Sequence, residues 1–282
     1  MLILRLITAL ILIPIVILSL FSLSITKFTV IIFFISILAA WEWSYFLGLS
    51  SSFFKVIFTV SCGVILLGCM VGVLSNFQYV ALSLSHNNIV WVSLFWWLIA
   101  MLLVYYYPHS AFFWRHSCML RVLFGFMIIF SFFCGMLNIR QYNYDIDHNI
   151  GIWQLLYLLC LVWGADSGAY LFGKRFGNHQ LVPKLSPGKT WEGFWGGLLT
   201  SLVICFLFSE FVLIKKSLIL MFFLSIIVFL ASVLGDLSES MFKREASIKD
   251  SGNLLPGHGG ILDRIDSLTA AAPVFASLQW LI

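Results

Sequence analysis

The sequence predicts an all-α, polytopic integral membrane protein with about nine transmembrane helices. Of its 282 residues, 61% are hydrophobic and only 10% are charged, whereas soluble domains carry about 25% charged residues. The mean hydropathy is +1.03, and apolar runs of about 20 residues, long enough to cross a bilayer as helices, recur along the chain. These runs do not alternate between apolar and polar residues, which argues against a β-barrel.

Nine apolar segments can be drawn as helices, because a helix satisfies its own backbone hydrogen bonds in lipid. They cover residues 4–24, 28–48, 54–75, 88–107, 120–139, 150–173, 192–213, 217–235 and 261–282. We divide the chain into an N-terminal region of about five helices, residues 1–149, and a C-terminal region, residues 150–282. The C-terminal region contains two polar loops, residues 173–191 and 236–260.

The basic residues predict the orientation of these helices. With nine spans, 12 of the 16 Lys and Arg residues fall on one side of the membrane. They are Arg5, Lys55, Arg115, Arg121, Lys174, Arg175, Lys184, Lys189, Lys243, Arg244, Lys249 and Arg264. The positive-inside rule then places this side, the N-terminus and both polar loops in the cytoplasm. We therefore expect an integral protein of the inner cell membrane, with its active site at the cytoplasmic face.

The first polar region is WGADSGAYLFGKRFGNHQLVPKLSPGKTWEGFWGG, residues 163–197. Asp166 lies within an apolar helix, where a carboxylate indicates function unless it is the structural partner of a nearby Lys or Arg. The segment SPGKT, residues 186–190, places hydroxyls, a flexible glycine and an ammonium before a helix. This pattern is typical of a phosphate-binding turn, and equally of a helix-capping turn.

The second polar region, residues 235–267, contains three aspartates. Asp236 follows an apolar run, and Asp263 and Asp266 are predicted to share one face of the last helix. Carboxylates so placed repel each other unless a cation lies between them, and hard oxygen ligands favour Mg²⁺. The alternative is neutralisation by Arg264, Lys249 and the helix dipole. The glycines of PGHGG, residues 256–260, expose backbone to an anionic ligand.

Glu42, in AAWEWSYF, is interpreted as an interfacial or snorkelling acid near a membrane end, with a functional intramembrane acid as the alternative. The two polar regions together alternate groups that bind anions with groups that bind cations. Nucleotide phosphates plus a metal ion require this alternation. A second substrate held in the bilayer is indicated by the position of these groups beside apolar helices.

Residues 240–266, SMFKREASIKDSGNLLPGHGGILDRID, closely resemble the signature of the phosphatidate cytidylyltransferase family, also called CDP-diacylglycerol synthases. The segments WGADSGAYLFGKRFG and SPGKTWEGFWGG resemble other stretches shared by that family. The resemblance covers about residues 150–282, and the first half matches only as membrane helices. Ser167 stands where many relatives carry Thr, so the hydroxyl is retained.

This resemblance implies transfer of a cytidylyl group from CTP to phosphatidic acid, giving CDP-diacylglycerol and pyrophosphate for phospholipid biosynthesis. It implies Mg²⁺ and a second cation such as K⁺ as cofactors. The expected partners are CTP, phosphatidic acid, the lipid bilayer and a second copy of the chain, without nucleic acid.

The resemblance also carries roles over to individual residues. The metal ligands would be Asp236, Asp263 and Asp266. The catalytic residues, most of them facing phosphates, would be Lys243, Arg244, Lys249, Asp250, His258 and Arg264. The substrate-binding residues would be Asp166, Ser167, Ser186, Lys189, Thr190, Ser240, Gly257, Gly259 and Gly260.

Three other classes of protein remain as alternatives at this point. A CTP-dependent lipid kinase would phosphorylate a lipid hydroxyl and would require a general base. A transporter would use Asp166 and Asp236 as intramembrane ion ligands, but it has no need of the long PGHGG–DRID stretch. A structural scaffold would leave the acidic residues unexplained.

Overall fold

The computed structural model describes residues 13–49, 51–74, 86–211, 217–252, 254 and 259–279, and these are mostly helical. The helices are α1 (Ile13–Ser22), α2 (Ile25–Trp43), α3 (Ser52–Leu74), α4 (His86–Tyr105), α5 (Ala111–Trp114), α6 (Cys118–Gln141), α7 (Ile150–Phe176), α8 (Trp191–Phe211), α9 (Leu218–Glu245) and α10 (Leu262–Leu278). A 3-10 turn, Ser44–Leu47, extends α2. The strands β1 (Gln180–Val182) and β2 (Ser186–Thr190) form an antiparallel hairpin.

Within the described residues, six helices are long and apolar enough to cross a membrane. They are α2 with its 3-10 extension, α3 as far as Met70, α6, α7, α8 as far as Glu210, and α9. Each of the nine predicted segments overlaps a helix, which confirms the all-α membrane fold in outline. Nine separate crossings remain a prediction, because α1 and the apolar part of α4 are shorter and α10 has 17 residues.

The predicted boundary of the second polar loop is wrong. The apolar run was expected to end at residue 235, but α9 continues to Glu245. The reason is a buried face formed by Leu237, Met241 and Phe242, which packs beyond the end of the continuously apolar run. Four candidate residues therefore lie on the last turns of a helix and not in a loop: Asp236, Ser240, Lys243 and Arg244.

The first polar loop is also more ordered than the sequence predicts. Its start belongs to α7, and SPGKT is strand β2, not a flexible turn. Leu185, at the tip of the hairpin, is fully buried. Arg244 Nε donates a hydrogen bond of 3.0 Å to the Leu185 carbonyl, which attaches the hairpin to α9.

Helices α7 and α8 approach each other closely through glycines. A Cβ atom at Gly193 would lie 2.7 Å from the Ala169 carbonyl oxygen, and one at Gly197 would lie 2.9 Å from that of Ala165. Small residues allow this kind of backbone contact between membrane helices. The contact fixes the start of α8, and with it β2, beside the polar part of α7.

Polar contacts join the helices at both ends of the bundle. At one end, Arg121 Nη1 donates to the Phe46 carbonyl over 2.9 Å. At the other, Gln279 Nε2 donates to Asn138 Oδ1 over 2.9 Å. Helix α10 lies centrally, with residues 267–277 all buried, and contacts α2, α4, α6, α7 and α9. Helices from both halves of the chain thus surround the last described helix.

Candidate active site

Four carboxylates from three helices interact electrostatically; Glu239 is buried, Asp236 and Asp266 are half-buried, and Asp166 is exposed. Asp166 belongs to α7, Asp236 and Glu239 to α9, and Asp266 to α10. We call these four residues the acidic cluster. Asp166 and Asp236 lie about ten residues before the ends of their helices, or ~15 Å along the helix axis. These two residues are therefore set inward from the ends of α7 and α9, whereas Asp266 lies near the start of α10.

Cationic side chains alternate with these acids. Lys189 Nζ lies 2.6 Å from Asp236 Oδ2, and Arg264 interacts electrostatically with Asp166. Lys243 Nζ lies 2.7 Å from Glu239 Oε2 and 2.9 Å from Asp263 Oδ1. The structure thus brings together seven residues that the sequence analysis named: Asp166, Lys189, Asp236, Lys243, Asp263, Arg264 and Asp266.

Asp263 differs from its neighbours because hydrogen-bond donors surround it. Besides Lys243, it accepts from the Ser251 backbone N–H, at 3.0 Å to Oδ2, and from that of Gly260, at 2.8 Å. Burial raises the pKa of Asp263, but the bonds from Lys243 and the two N–H groups outweigh burial and hold this pKa below its usual range. Asp263 is therefore an ionised carboxylate whose charge is well compensated.

Glu42 is a second well-compensated carboxylate, and it is enclosed by the protein, not exposed as a snorkelling acid would be. Its side chain is buried, with 1% of the residue exposed. Oε1 accepts from the Ile261 N–H at 2.9 Å, and Oε2 accepts from the Leu262 N–H at 2.7 Å and from Ser251 Oγ at 3.1 Å. Glu42 and Asp263 together form what we call the anchor pair, because both hold the chain around the start of α10.

Glu239 is a site residue that the sequence analysis missed. Its side chain is 4% exposed, and within the described part of the chain its Oε1 atom is buried without a hydrogen-bond partner. The signal was present, since Glu239 follows Asp236 by three residues and such residues share a helix face. It was overlooked because residues 236–260 were interpreted as a loop.

The other candidate residues contribute in different ways. Thr190 Oγ1 accepts from the Gly193 N–H at 3.1 Å, so the capping interpretation of SPGKT is confirmed for this residue. Ser240 Oγ donates to Asp236 Oδ1 over 3.4 Å. Gly259 has a φ of +81°, which favours glycine, and a Cβ there would lie 2.8 Å from Asp263 Oδ2.

Several candidates lie outside the acidic cluster. Ser167, Lys249 and Asp250 are exposed, and Ser186 is half-buried in β2. In the portion of the chain that the structure describes, no hydrogen bond or ion pair joins Lys249 or Asp250 to the acidic cluster. Gly257 and His258 lie outside the described residues.

This arrangement places groups that suit a polyanion beside groups that suit a cation. The ammonium and guanidinium groups suit phosphate oxygens, and the carboxylates suit a hard cation. As the described side chains stand, no three His, Cys, Asp or Glu residues are grouped closely enough to hold a metal ion. The case for a cation therefore depends on the type of donor and on the excess of negative charge.

Comparison with known proteins agrees with this chemistry. The profile of the cytidylyltransferase family matches residues 3–282. A phosphatidate cytidylyltransferase of Haemophilus influenzae is 40% identical over 283 residues, 99% of this chain and 98% of the relative. One of Pseudomonas aeruginosa is 39% identical over 277 residues, 98% and 96% of the two chains. One of Staphylococcus aureus is 48% identical over 124 residues, 44% and 48% of the two chains.

The similarity extends beyond the region where the sequence signature lies. Residues 1–149, which the sequence analysis treated as generic membrane helices, fall within the profile match almost entirely, and within the alignments that cover nearly the whole chain. The position of Glu42, an N-terminal residue in contact with the signature segment, agrees with a site to which both halves contribute. The chain belongs to the cytidylyltransferase family.

Proposed function

We propose that this protein transfers a cytidylyl group from CTP to phosphatidic acid, giving CDP-diacylglycerol and pyrophosphate. The observation that carries the proposal is the alternation of cations and carboxylates inside a membrane-helix bundle, with Lys189 on Asp236 and Lys243 between Glu239 and Asp263. Membership of the family and the names of the full-length relatives support the same reaction.

The reaction requires charge compensation more than proton transfer. A phosphate oxygen of the lipid forms a bond to the α-phosphorus of CTP, and the bond from that phosphorus to the oxygen bridging it to the β-phosphorus breaks. The attacking oxygen is already anionic near neutral pH, so no general base is required. The barrier is the approach of one anion to another, which fixed cations lower by stabilising the developing charge.

The described cations are placed for this task. Lys243 is held by two carboxylates and Lys189 by one, so each ammonium group is positioned before a phosphate arrives. Arg264, in the first turn of α10, is exposed and interacts with Asp166. We assign these three residues to the phosphates of CTP and of the lipid. Arg244, bonded to Leu185, positions the hairpin that carries Lys189.

The acidic cluster fits a divalent cation. Its members are hard oxygen donors, and the buried Oε1 of Glu239 has no hydrogen-bond partner within the described part. Asp236 and Asp266 would hold Mg²⁺, with Glu239 beside them. Asp263, the third ligand predicted from sequence, lies in the same turn of α10 as Asp266. When bound, Mg²⁺ supplies charge neutralisation at the phosphates and the leaving pyrophosphate. A second cation such as K⁺ and a homodimer stay predictions of the resemblance.

The expected location is the inner cell membrane. The end of the bundle that carries the site would face the cytoplasm, because CTP is a cytoplasmic nucleotide. Asn178, beside the hairpin, and Asp145, at the other end, are both exposed and allow a paired test. In a background lacking the native cysteines, Asn178→Cys should react with an impermeant thiol reagent only after permeabilisation. Asp145→Cys should react in intact cells, and the reverse pattern would contradict the orientation.

The reaction is tested with purified protein, phosphatidic acid, Mg²⁺ and CTP labelled at either the α or the γ phosphate. Label from the α position should enter the lipid, and label from the γ position should leave in pyrophosphate. Transfer of γ label to a lipid would contradict the proposal and favour the CTP-dependent lipid kinase. Absence of any transfer by an intact preparation would contradict both.

A further inference from the structure

Glu42 makes an unusual set of contacts for an acid of the N-terminal half. It lies next to the last residue of α2 and is 219 and 220 positions away from two of its three donors. Within the described residues, no Lys, Arg or His side chain forms an ion pair with it. Its charge is compensated instead by two backbone N–H groups and one hydroxyl. The contacts are therefore specific to the backbone at the start of α10.

These donors are the groups that a helix start leaves unpaired. The first N–H groups of a helix have no partner within it, and Ile261, the residue before α10, provides no side-chain cap. Glu42 supplies the missing acceptor from another helix, and its negative charge is favourable at the positive end of the helix dipole. The start of α10 is thus fixed relative to α2.

Two glycines are required for the carboxylate to reach this position. A Cβ at Gly252 would lie 2.6 Å from Glu42 Oε1, and a Cβ at Gly260 would lie 2.5 Å from Oε2. Both distances are shorter than a side chain allows, so the backbone at both glycines lies directly against the carboxylate. Close backbone approach to the carboxylate explains glycine at these two places without any reference to substrate.

The same segments are held from the other side by Asp263. Its carboxylate accepts from the Ser251 and Gly260 N–H groups, while Ser251 Oγ bonds to Glu42. Ser251 is therefore bound by both members of the anchor pair. Asp263 contacts Lys243, and Asp266 follows on the same turn. A shift of the start of α10 would move Asp263, Lys243 and Asp266 together.

We propose that Glu42 is a positioning residue, which holds the start of α10 and thereby sets the places of Asp263 and Asp266 in the active site. It acts through the backbone of the signature segment and touches neither substrate nor the reacting atoms. The catalytic consequence rests on the proposed function, whereas the effect on the backbone does not.

The test uses full-length protein in lipid nanodiscs and two matched substitutions in α2. Glu42→Gln keeps the shape but replaces one acceptor oxygen by a donor. Ser36→Ala is the control, because Ser36 is fully buried in the same helix and its hydroxyl has no hydrogen-bond partner within the described residues. Amide hydrogen exchange should rise at least tenfold at positions 261 and 262 in Glu42→Gln, with no change within residues 218–235 of α9. The control should exchange like the wild type.

Activity supplies the second readout. Glu42→Gln should lower kcat about tenfold and raise the Mg²⁺ concentration for half-maximal activity, while Glu42→Asp, which restores the carboxylate, should recover part of both. A purely structural role would lower the amount of folded protein without changing the Mg²⁺ dependence. If Glu42→Gln cannot be purified, Ser251→Ala, which removes one donor and no charge, should produce the same exchange pattern at smaller amplitude.

Unchanged exchange at positions 261 and 262 in Glu42→Gln, or in Ser251→Ala when it takes the place of that variant, would overturn the proposal. Raised exchange there with kcat and Mg²⁺ dependence equal to those of Ser36→Ala would overturn the positioning role in catalysis. If the wild type itself transfers no cytidylyl group, the proposed function fails, while the exchange experiment still decides whether Glu42 holds the start of α10.

Discussion

The anchor pair and the acidic cluster are made of the same residue types and meet within one turn of α10, yet their hydrogen-bond donors differ. In the anchor pair, every carboxylate oxygen accepts at least one hydrogen bond from a backbone N–H group. In the acidic cluster, the described partners include ammonium groups, Lys189 at Asp236 and Lys243 at Glu239 Oε2, and Glu239 Oε1 has no hydrogen-bond partner among the described residues. The difference teaches that the donors around a carboxylate, more than its burial, separate an acid that holds structure from one available to a ligand.

The largest expected effect breaks the acidic cluster. Asp266→Asn should reduce turnover by about 10²–10³, which corresponds to ~3–4 kcal/mol of lost transition-state stabilisation. Its melting temperature should stay equal or rise, because the substitution removes one of several repelling acids. Turnover and thermal unfolding are measured on the same preparation, and normal turnover at saturating Mg²⁺ would remove Asp266 from the site.

The corresponding change in the anchor pair should act on stability first. Asp263→Asn breaks a buried pair with Lys243, which costs about 3 kcal/mol of unfolding free energy. Because the pKa of Asp263 is lowered in the folded protein, its contribution is present above the ordinary value of 3.8 and lost as the pH falls through the lower, folded value. The free energy of unfolding is measured from pH 7 to pH 3 for the wild type and for Asp263→Asn. The contribution of Asp263 should be lost over this range in the wild type, and the variant should show no such loss. A normal melting temperature with abolished activity would favour Asp263 as a metal ligand.

A smaller effect is expected for the cation that faces Asp236. Lys189→Met should raise the KM for CTP about tenfold, or ~1.4 kcal/mol, since the ion pair is partly exposed and one of several cations is lost. Lys184→Met, in the exposed turn of the same hairpin, is the matched control. Equal KM values in the two variants would show that Lys189 does not bind the nucleotide.

The smallest effect is expected away from both regions. Tyr107 donates to Glu245 Oε1 over 2.9 Å, and burial together with that carboxylate raises the pKa of Tyr107 to about 12. The phenol therefore remains a donor at any physiological pH. Tyr107→Phe should lower the unfolding free energy by ~1 kcal/mol and leave turnover unchanged. A large loss of activity would extend the site beyond the residues assigned to it.

The helices could be predicted from sequence because apolar runs of bilayer length are a local signal. The end of α9 could not, because polar residues interrupt the run while Leu237, Met241 and Phe242 still bury one face. In the site, Asp236 and the signature residues Lys243 and Asp263 were predicted from position, spacing and resemblance. The role of Glu42 was not, since its partners come from the far end of the sequence.

The wide separation between Glu42 and its donors has a consequence for how the protein is made. At about 5–20 residues per second, the ribosome needs roughly 10–45 s to add the 219 residues that follow Glu42, up to and including Ile261. During that interval the first helices enter the membrane while Glu42 still lacks its hydrogen-bond donors. Water must donate to Glu42 until the last helix arrives, because an uncompensated carboxylate in lipid is costly. A nascent chain halted before residue 251 would keep its membrane helices and lack a finished site.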